Sequence, residues 1–553
     1  MKIFATLEMP FSLTPPFKNR ITKQNFVYGA WVASDNFYLA LLKHGTFDEY
    51  HFFVSSKLEA NFLKKQISSL NLNPDKIKII NLKELPACFD KTPYTVFFTS
   101  ATGISNLSHL RSKYSARPFP ICGFTHSVSY AQALKSEIFH NILSDLYPFD
   151  SIICTSSGVY KVIQNLNSLM SGSFQKKTGI FYKYKGQLKY LPLGIEVSDC
   201  NRISKSEARR KLGLSNDKII ILYFGRFSLY DKADLYPLLL AFKEVLAQGE
   251  NVTLLLAGVN GQGNYGNKLK NIAKEMGILA NVKFIFGVKD KYPVYSAADI
   301  FVSPSDNIQE SFGLTVLEAM ASGLAPVISD WDGYKDLIIH NQSGFHVPTY
   351  WANCNIEEEY SFYTYLNLWQ KEHLYLGQSV FVDIEKLTRY LMALVKDKNL
   401  RLEIAGNARK RAQDVYDWSV VIPAYENFWL ELSGMSKGYK IKRNDEKLFM
   451  PDYFASFRHY PTKILSTKAK VAITKNGFSY LKTRKLPFKI QEELEDVILI
   501  KAIFIILTFL LGRRNAAIAQ IQAYAKKILN TKTSVIKYNI MWLLKKGLIK
   551  LIS

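Results

Sequence analysis

Two glutamates and two cations occupy positions where they could handle a phosphorylated sugar. In the window Ser303–Ile328 (SPSDNIQESFGLTVLEAMASGLAPVI) an apolar strand ends, a polar loop follows, and a helix opens at about Phe312. Gly313 permits close backbone approach, and the first N–H groups of a helix have no partner inside it, so they can take an anion. Glu310 precedes the helix and Glu318 lies about two turns into it. Carboxylates at these places can accept hydrogen bonds from sugar or ribose hydroxyls while the amides hold phosphate. Gly323 stops the helix just past its C-cap. Taken alone, two glutamates at this spacing read more often as solvated side chains that carry no chemistry. Arg226 and Lys232 follow the strand Ile219–Phe224, where cations can neutralise a diphosphate leaving group. His126 follows the apolar run Pro120–Phe124 and reads either as a structural histidine or as a group facing a ligand.

These residues need a scaffold that gathers strand ends. Residues 1 to about 200 alternate short apolar runs with helical patterns. The expected strands are Tyr50–Val54, Ile77–Ile80, Thr95–Thr99, Pro120–Thr125, Ser151–Thr155 and Lys189–Leu191, with helices at Asp35–Leu42, Leu58–Leu70 and Gly158–Leu166. The alternation restarts after Gly213. Strands Ile219–Phe224, Val252–Ala257, Val282–Phe286, Ile300–Ser303 and Ala325–Ile328 are separated by helices Leu235–Gln248, Asn267–Met276, Tyr292–Ala298 and Thr315–Ser322. The fold class is therefore α/β, with two doubly wound Rossmann-like domains, 1–200 and 201–434, facing a cleft where strand carboxyl ends meet. Residues about 350–377, with the acidic run Glu357-Glu358-Glu359, break the rhythm as an insertion. A closing helix over about 419–432 takes Ser419 as its N-cap.

The 553 residues carry 71 Lys and Arg against 47 Asp and Glu, a net charge of +24. From Met435 to Ser553 there are 24 basic and 7 acidic residues, so +17 resides in this tail and only +7 in the body. The shift marks a boundary near Gly434 and a basic helical extension, 435–553. Its apolar run Val497–Leu511 is shorter than the roughly 18–20 residues of a membrane span. Basic amphipathic stretches follow at Ala523–Leu529 and Ile536–Ile552, the latter with Trp542. Two readings stay open: helices lying on an anionic membrane, or a subdomain with a solvated basic face and Val497–Leu511 as its buried core helix. Nucleic acid ranks behind both, because no zinc-finger spacing or RNP-like motif is present. Five scattered cysteines exclude a disulfide framework and a zinc ribbon. The N-terminus lacks an unbroken apolar stretch and is not read as a signal peptide. A cytoplasmic location, peripheral to the membrane, is expected.

The window around Glu310 also resembles a known family. Glu310, Phe312, Gly313, Glu318, Ala319, Met320, Ala321, Gly323, Pro326 and Val327 match the signature of retaining GT-B glycosyltransferases of family 4, the glycosyl transferases group 1. Neighbouring pieces agree in order: Tyr223-Phe224-Gly225-Arg226 with Asp231-Lys232, Leu254–Gly258, Val282–Gly287, Tyr295–Pro304, Ser343–Pro348, and the interdomain Leu191–Glu196. The resemblance is strong over about 190–350, weaker over 95–190 and 380–432, and absent from the tail. The chain departs from the pattern at Ala233, where the family usually has glycine, and at Gly29, where a glycine pair is usual.

The resemblance implies a nucleotide diphosphate sugar in the cleft. Glu318 would hold ribose hydroxyls, and Gly287 and Val288 would flank the base. Arg226, Lys232 and the Phe312, Gly313 and Leu314 amides would carry the diphosphate. Glu310 would contact the sugar and, with His126, form the catalytic pair, His126 orienting the donor sugar. Gly29 reads as a phosphate-side loop or as a plain turn. No cofactor or metal is implied. Asp330 and Asp332, after the strand Ala325–Ile328, are read as a loop that contacts ligand or caps Tyr334–Ile339. The expected activity is retaining transfer of a sugar to a hydroxyl acceptor, a lipid-linked or membrane-proximal saccharide in polysaccharide or glycolipid synthesis. The alternatives are a soluble enzyme acting on a free sugar or protein, and a non-catalytic scaffold with the tail as docking module.

Overall fold

The computed structural model describes residues 1–8, 29–70, 72–200, 203–355, 359, 362, 371–441, 452–491, 494 and 497–552. The chain forms two compact units, Met1–Asp445 and Glu446–Ser553.

The first unit holds two parallel sheets. One contains β1 (Ile3–Thr6), β2 (Glu49–Val54), β3 (Ile77–Asn81), β4 (Val96–Thr99), β5 (Ile121–Phe124), β6 (Ser151–Cys154) and β7 (Gln187–Tyr190). The strands lie in the order β3-β2-β1-β4-β5-β6-β7, all neighbours parallel. The other contains β8 (Ile219–Phe227), β9 (Val252–Asn260), β10 (Val282–Phe286), β11 (Ile300–Ser303), β12 (Ala325–Ser329) and β13 (Phe345–Val347). Their order is β10-β9-β8-β11-β12-β13, again parallel. In each sheet the order reverses once, at β1/β4 and at β8/β11, and ligands of open α/β sheets bind outside such switch points. The inner strands are buried, near-continuous apolar runs, as parallel sheets covered on both faces require, whereas the edge strands β3 and β7 carry polar residues and are more exposed. Gly258 allows β9 to pass close to β8: a Cβ there would lie 1.8 Å from the Gly225 carbonyl oxygen.

The closing helix runs Trp418–Ser436 and is capped by Asp417, whose carboxylate accepts from the Ser419 amide at 2.9 Å. This corrects the expected cap: Ser419 already lies inside the first turn. The helix follows the second domain in sequence but completes the core of the first. Trp429 is fully buried against Phe98 and Phe4, with ring centroids at 5.4 and 5.6 Å. Tyr425 donates to the Leu191 carbonyl at 3.2 Å. The chain stays with this unit past Gly434, since Tyr439 packs edge-on to Phe149 at 5.1 Å. Around the expected insertion, β14 (Thr349–Trp351) pairs antiparallel with β15 (Val380–Val382), and helix Lys371–Gly377 lies between them. Glu357 and Glu358 fall outside the described residues.

The second unit has three antiparallel strands, β16 (Lys470–Ile473), β17 (Ala516–Ala517) and β18 (Ile549–Ile552), in the order β17-β16-β18. Its principal helices are Lys475–Thr483, Ile500–Leu511, Ile518–Leu529 and Thr533–Lys545. The apolar run forms the helix Ile500–Leu511, which buries Ile503, Ile506, Leu507 and Leu510 in the unit's core. Trp542 faces the same core. Of the two readings of the tail, the folded subdomain with a buried core helix describes this architecture. The expected helical stretch Ile536–Ile552 ends early, because Gly547 adopts a left-handed φ of 66° and β18 follows. Among the described residues no helix is long and apolar enough to cross a membrane.

Candidate active site

The loop after β11 and the carboxyl end of β8 bring Glu310 and Lys232 together. Their side chains, 78 positions apart in sequence, form an ion pair at 3.0 Å. Glu310 is almost fully buried, so the pair is poorly screened. Arg226, near the carboxyl end of β8, pairs with Asp231, which is itself buried. Two cations and the Glu310 carboxylate therefore converge at the β8/β11 switch point. The helix behind them is Leu314–Ala321, starting between the two positions the sequence suggests, about Phe312 and Thr315, with Gly313 at its N-cap. Gly313 has a φ of 106°, and a Cβ there would lie 2.5 Å from the Tyr334 ring. Glycine is therefore required, and the Leu314 and Thr315 amides open the helix without intrahelical acceptors. Phe312 is buried, with its ring facing Tyr416 at 6.4 Å. Gly323 ends the helix with a φ of 76°, as expected of that position.

Glu318 is 8% exposed and occupied on both oxygens. Lys291 donates to one at 2.5 Å and Tyr295 to the other at 2.8 Å. Burial pulls the Lys291 ammonium down, but the charge and hydrogen bond of Glu318 outweigh it, and its pKa is raised. Glu318 and Lys291 line a cleft pocket together with Asn36, Lys43, Asp199 and Tyr292, so the pocket draws on both domains. Gly287 and Val288 follow β10; the Gly287 amide donates to the Gly258 carbonyl at 2.9 Å in a left-handed turn.

His126 lies at the carboxyl end of β5, across the cleft. Its Nε2 is 3.0 Å from Ser34 Oγ, and its ring packs edge-on to Phe124 at 4.6 Å. Burial lowers its pKa to about 4, so the imidazole is neutral at pH 7. It can donate or accept a hydrogen bond to a sugar hydroxyl but brings no charge. Gly29 opens the helix Gly29–His44 and is exposed; Val27 and Tyr28, the rest of its expected loop, lie outside the described residues.

The two lips of the cleft are tied together. The Ser157 amide and hydroxyl both donate to Asp336, each at 2.6 Å, which seats a carboxylate from the second domain on the N-terminus of the helix Ser157–Thr178. Gln309 donates to Ser127 Oγ at 3.0 Å. Among the described residues, Gln309 Oε1, Ser129 Oγ and Asp231 Oδ1 are buried without a hydrogen-bond partner. Of the Asp330–Asp332 pair, Asp332 abuts the first domain: a Cβ on Gly158 would lie 2.6 Å from its Oδ1. It does not cap the short helix Tyr334–Leu337, whose N-cap is Gly333.

Sequence reasoning missed Lys291 and Glu8, and it placed Tyr295 only at the start of a matched segment, without its contact to Glu318. The Glu8 carboxylate, just past β1, accepts from Tyr38 at 2.7 Å and from Thr99 and the Ser100 amide at 2.6 Å each. It thus stands at the first domain's own switch point. An unpatterned lysine or glutamate carries no local signal; only the folded arrangement reveals it.

The Asp332 carboxyl is pushed up to about 8, first by burial and then by the nearby charges of Glu310 and Asp336. It keeps its proton in the fold at pH values where the unfolded chain has lost it. Its contribution to stability is fully present below about pH 4, falls as pH rises towards 8, and is constant above. Asp332→Asn should therefore raise the melting temperature over the unmodified chain more at pH 8 than at pH 5. Equal margins in thermal melts at the two values would show that Asp332 ionises normally.

Residues 204–359 match the family model described as glycosyl transferases group 1. Among curated proteins, the chain is 29% identical over 227 residues to an alpha-monoglucosyldiacylglycerol synthase of Streptococcus pneumoniae, covering 40% of this chain and 46% of that one. The chain spans less than half the length of the curated relatives it matches. Among solved structures, sucrose-phosphate synthase from Thermosynechococcus elongatus superposes with a TM-score of 0.50 at 16% identity, covering 79% of this chain and all of that one. Anabaena HepE in complex with UDP gives a TM-score of 0.50 at 15% identity, over 77% and 99% of the two chains. The fold is GT-B, and the second domain is similar to the glycosyl transferases group 1 over residues 204–359.

Proposed function

We propose that this chain transfers a sugar from a nucleoside diphosphate sugar to an acceptor hydroxyl, with retention of the anomeric configuration. The observation that carries the reading is the Lys232–Glu310 pair at the β8/β11 switch point, beside Arg226 and ahead of the Leu314 helix. Arg226, Lys232 and the first helix amides stabilise the diphosphate as its charge grows on departure. Glu318 takes the ribose hydroxyls, and the turn at Gly287 and Val288 flanks the base. Glu310 accepts from hydroxyls of the donor sugar, and neutral His126 orients that sugar from the other lip. Glu310 is held by Lys232, which makes it a poor nucleophile and favours front-face attack over a glycosyl-enzyme. The acceptor then passes its proton to the leaving phosphate. A saccharide or glycolipid acceptor is supported by the name of the streptococcal relative, a synthase of a glucosylated diacylglycerol.

The test is nucleotide release from a panel of UDP-, GDP- and ADP-sugars, with and without total lipid extract. Release from one donor, raised by lipid, is expected. Glu318→Ala should raise the donor KM about tenfold or more while kcat changes less, as loss of a binding contact requires. Absence of turnover with every donor and extract would sink the reading.

A further inference from the structure

We propose that the C-terminal unit is a helix-turn-helix module that seats its last helix in the major groove of duplex DNA. The inference is independent of the transferase reading and rests on the order and charge of the elements. Helix Ile518–Leu529 ends at Asn530, whose left-handed φ of 46° turns the chain. Only Asn530, Thr531 and Lys532 separate it from helix Thr533–Lys545. Two helices joined by a three- to four-residue turn, with the second presented outward, are the arrangement that reads duplex DNA.

The inner face of the pair is fixed. Ile521, Ala525, Ile536, Ile540 and Leu543 bury themselves against the helix Ile500–Leu511. Asn539 anchors the last helix: its carbonyl accepts from the Leu499 amide and its NH2 donates to the Val497 carbonyl, both at 2.9 Å. The outer face carries Lys532, Ser534, Lys537, Tyr538, Met541 and Lys545, all exposed. Ser534, Lys537, Tyr538, Met541 and Lys545, spaced by three and four residues, lie on one stripe, and Lys532 caps the start of the helix. Thirteen residues give a rod about 20 Å long, which a groove about 12 Å wide admits. Lysines and hydroxyls suit phosphate and base edges, and Met541 suits a thymine methyl.

Charge complementarity names the partner. From Val497 to Ser553 there are ten Lys and Arg and no Asp or Glu. An anionic bilayer would also attract this charge, but a helix lying on a membrane must turn its apolar face outward. Here that face, Trp542 included, forms the core. Lysines alternating with hydroxyls on the outer stripe fit phosphates and base edges.

The test uses the full chain and a fluorescein-labelled 20-base-pair duplex of mixed sequence, followed by anisotropy between 50 and 200 mM KCl. Saturable binding is expected. If Lys532, Lys537 and Lys545 neutralise three phosphates, affinity should fall about 40-fold across that range. The double variant K537E/K545E should bind at least tenfold more weakly, with an unchanged thermal melt. K463E/K468E, of equal charge change outside the helix pair, should alter binding less than threefold. Three results would overturn the proposal: no binding at 50 mM KCl, equal weakening by both double variants, or phosphatidylglycerol vesicles that capture the chain through Lys537 and Lys545 when the duplex does not.

Discussion

Glu310→Gln is expected to slow sugar transfer by about 10²–10³-fold, the size seen when one charge-stabilising contact is removed from a preorganised site. Glutamine keeps the length and shape of the side chain but removes the charge that holds Lys232 at 3.0 Å. On the proposed reading the loss should fall on kcat more than on donor KM, because Glu310 would face the sugar while Glu318 and the helix amides would hold the nucleotide. The unfilled Lys232 would remain to meet the diphosphate, so donor binding should survive. The measurement is steady-state nucleotide release with the donor identified in the panel. Turnover within threefold of the unmodified chain would remove Glu310 from the machinery.

The largest effect on stability should come from Trp429→Ala, at about 3–5 kcal/mol, the range for deleting a fully buried large aromatic side chain. Trp429 packs against rings from both the sheet and the helix Gly29–His44 of the N-terminal domain: Phe4 and Phe98 of β1 and β4, and Phe37 of the helix, whose ring centroid lies 6.3 Å away. The cavity would open beneath the first domain, although residue 429 comes after the second. Denaturant unfolding should show the lost free energy, and limited proteolysis should cut the N-terminal domain first. Earlier cleavage within 201–416 instead would show that the helix serves the second domain.

Much of this architecture is legible without coordinates, for physical reasons that can be named. Strands buried on both faces are written as unbroken apolar runs, so Ile121–Phe124 and Ala325–Ser329 stand out in the sequence. Ile3–Thr6 does not, because four residues at the chain start carry no pattern, yet it is the strand on which the first sheet reverses. Glu310, Glu318 and Gly313 are visible because a loop, a positive-φ glycine and a helix start must follow one another in sequence. Lys291 and Tyr295 are hidden because their role depends on folding next to Glu318. The closing helix is readable as a helix, but its partner is not: nothing local says that Trp429 belongs to the sheet of β1. The tail shows the same split. Its charge and apolar run are plain in the sequence, whereas the short turn at Asn530 and the stop at Gly547 appear only when backbone geometry is known.

The chain crosses between the two domains twice, at Leu191–Cys200 and again at Tyr416–Trp418, and the crossings are bonded to each other. Ile195 donates to Tyr416 at 2.9 Å, Trp418 donates to Ile195 at 3.0 Å, and the Val197 amide donates to the Asp417 carboxylate at 3.2 Å. Two connectors laced side by side act as a single pin. Sliding and shear of one domain past the other would break this lacing, whereas swinging about it would not. Opening of the cleft thus reduces to one angular coordinate, and a reporter pair placed on opposite lips, such as labels at the exposed Lys161 and Lys335, would track the whole motion with one distance.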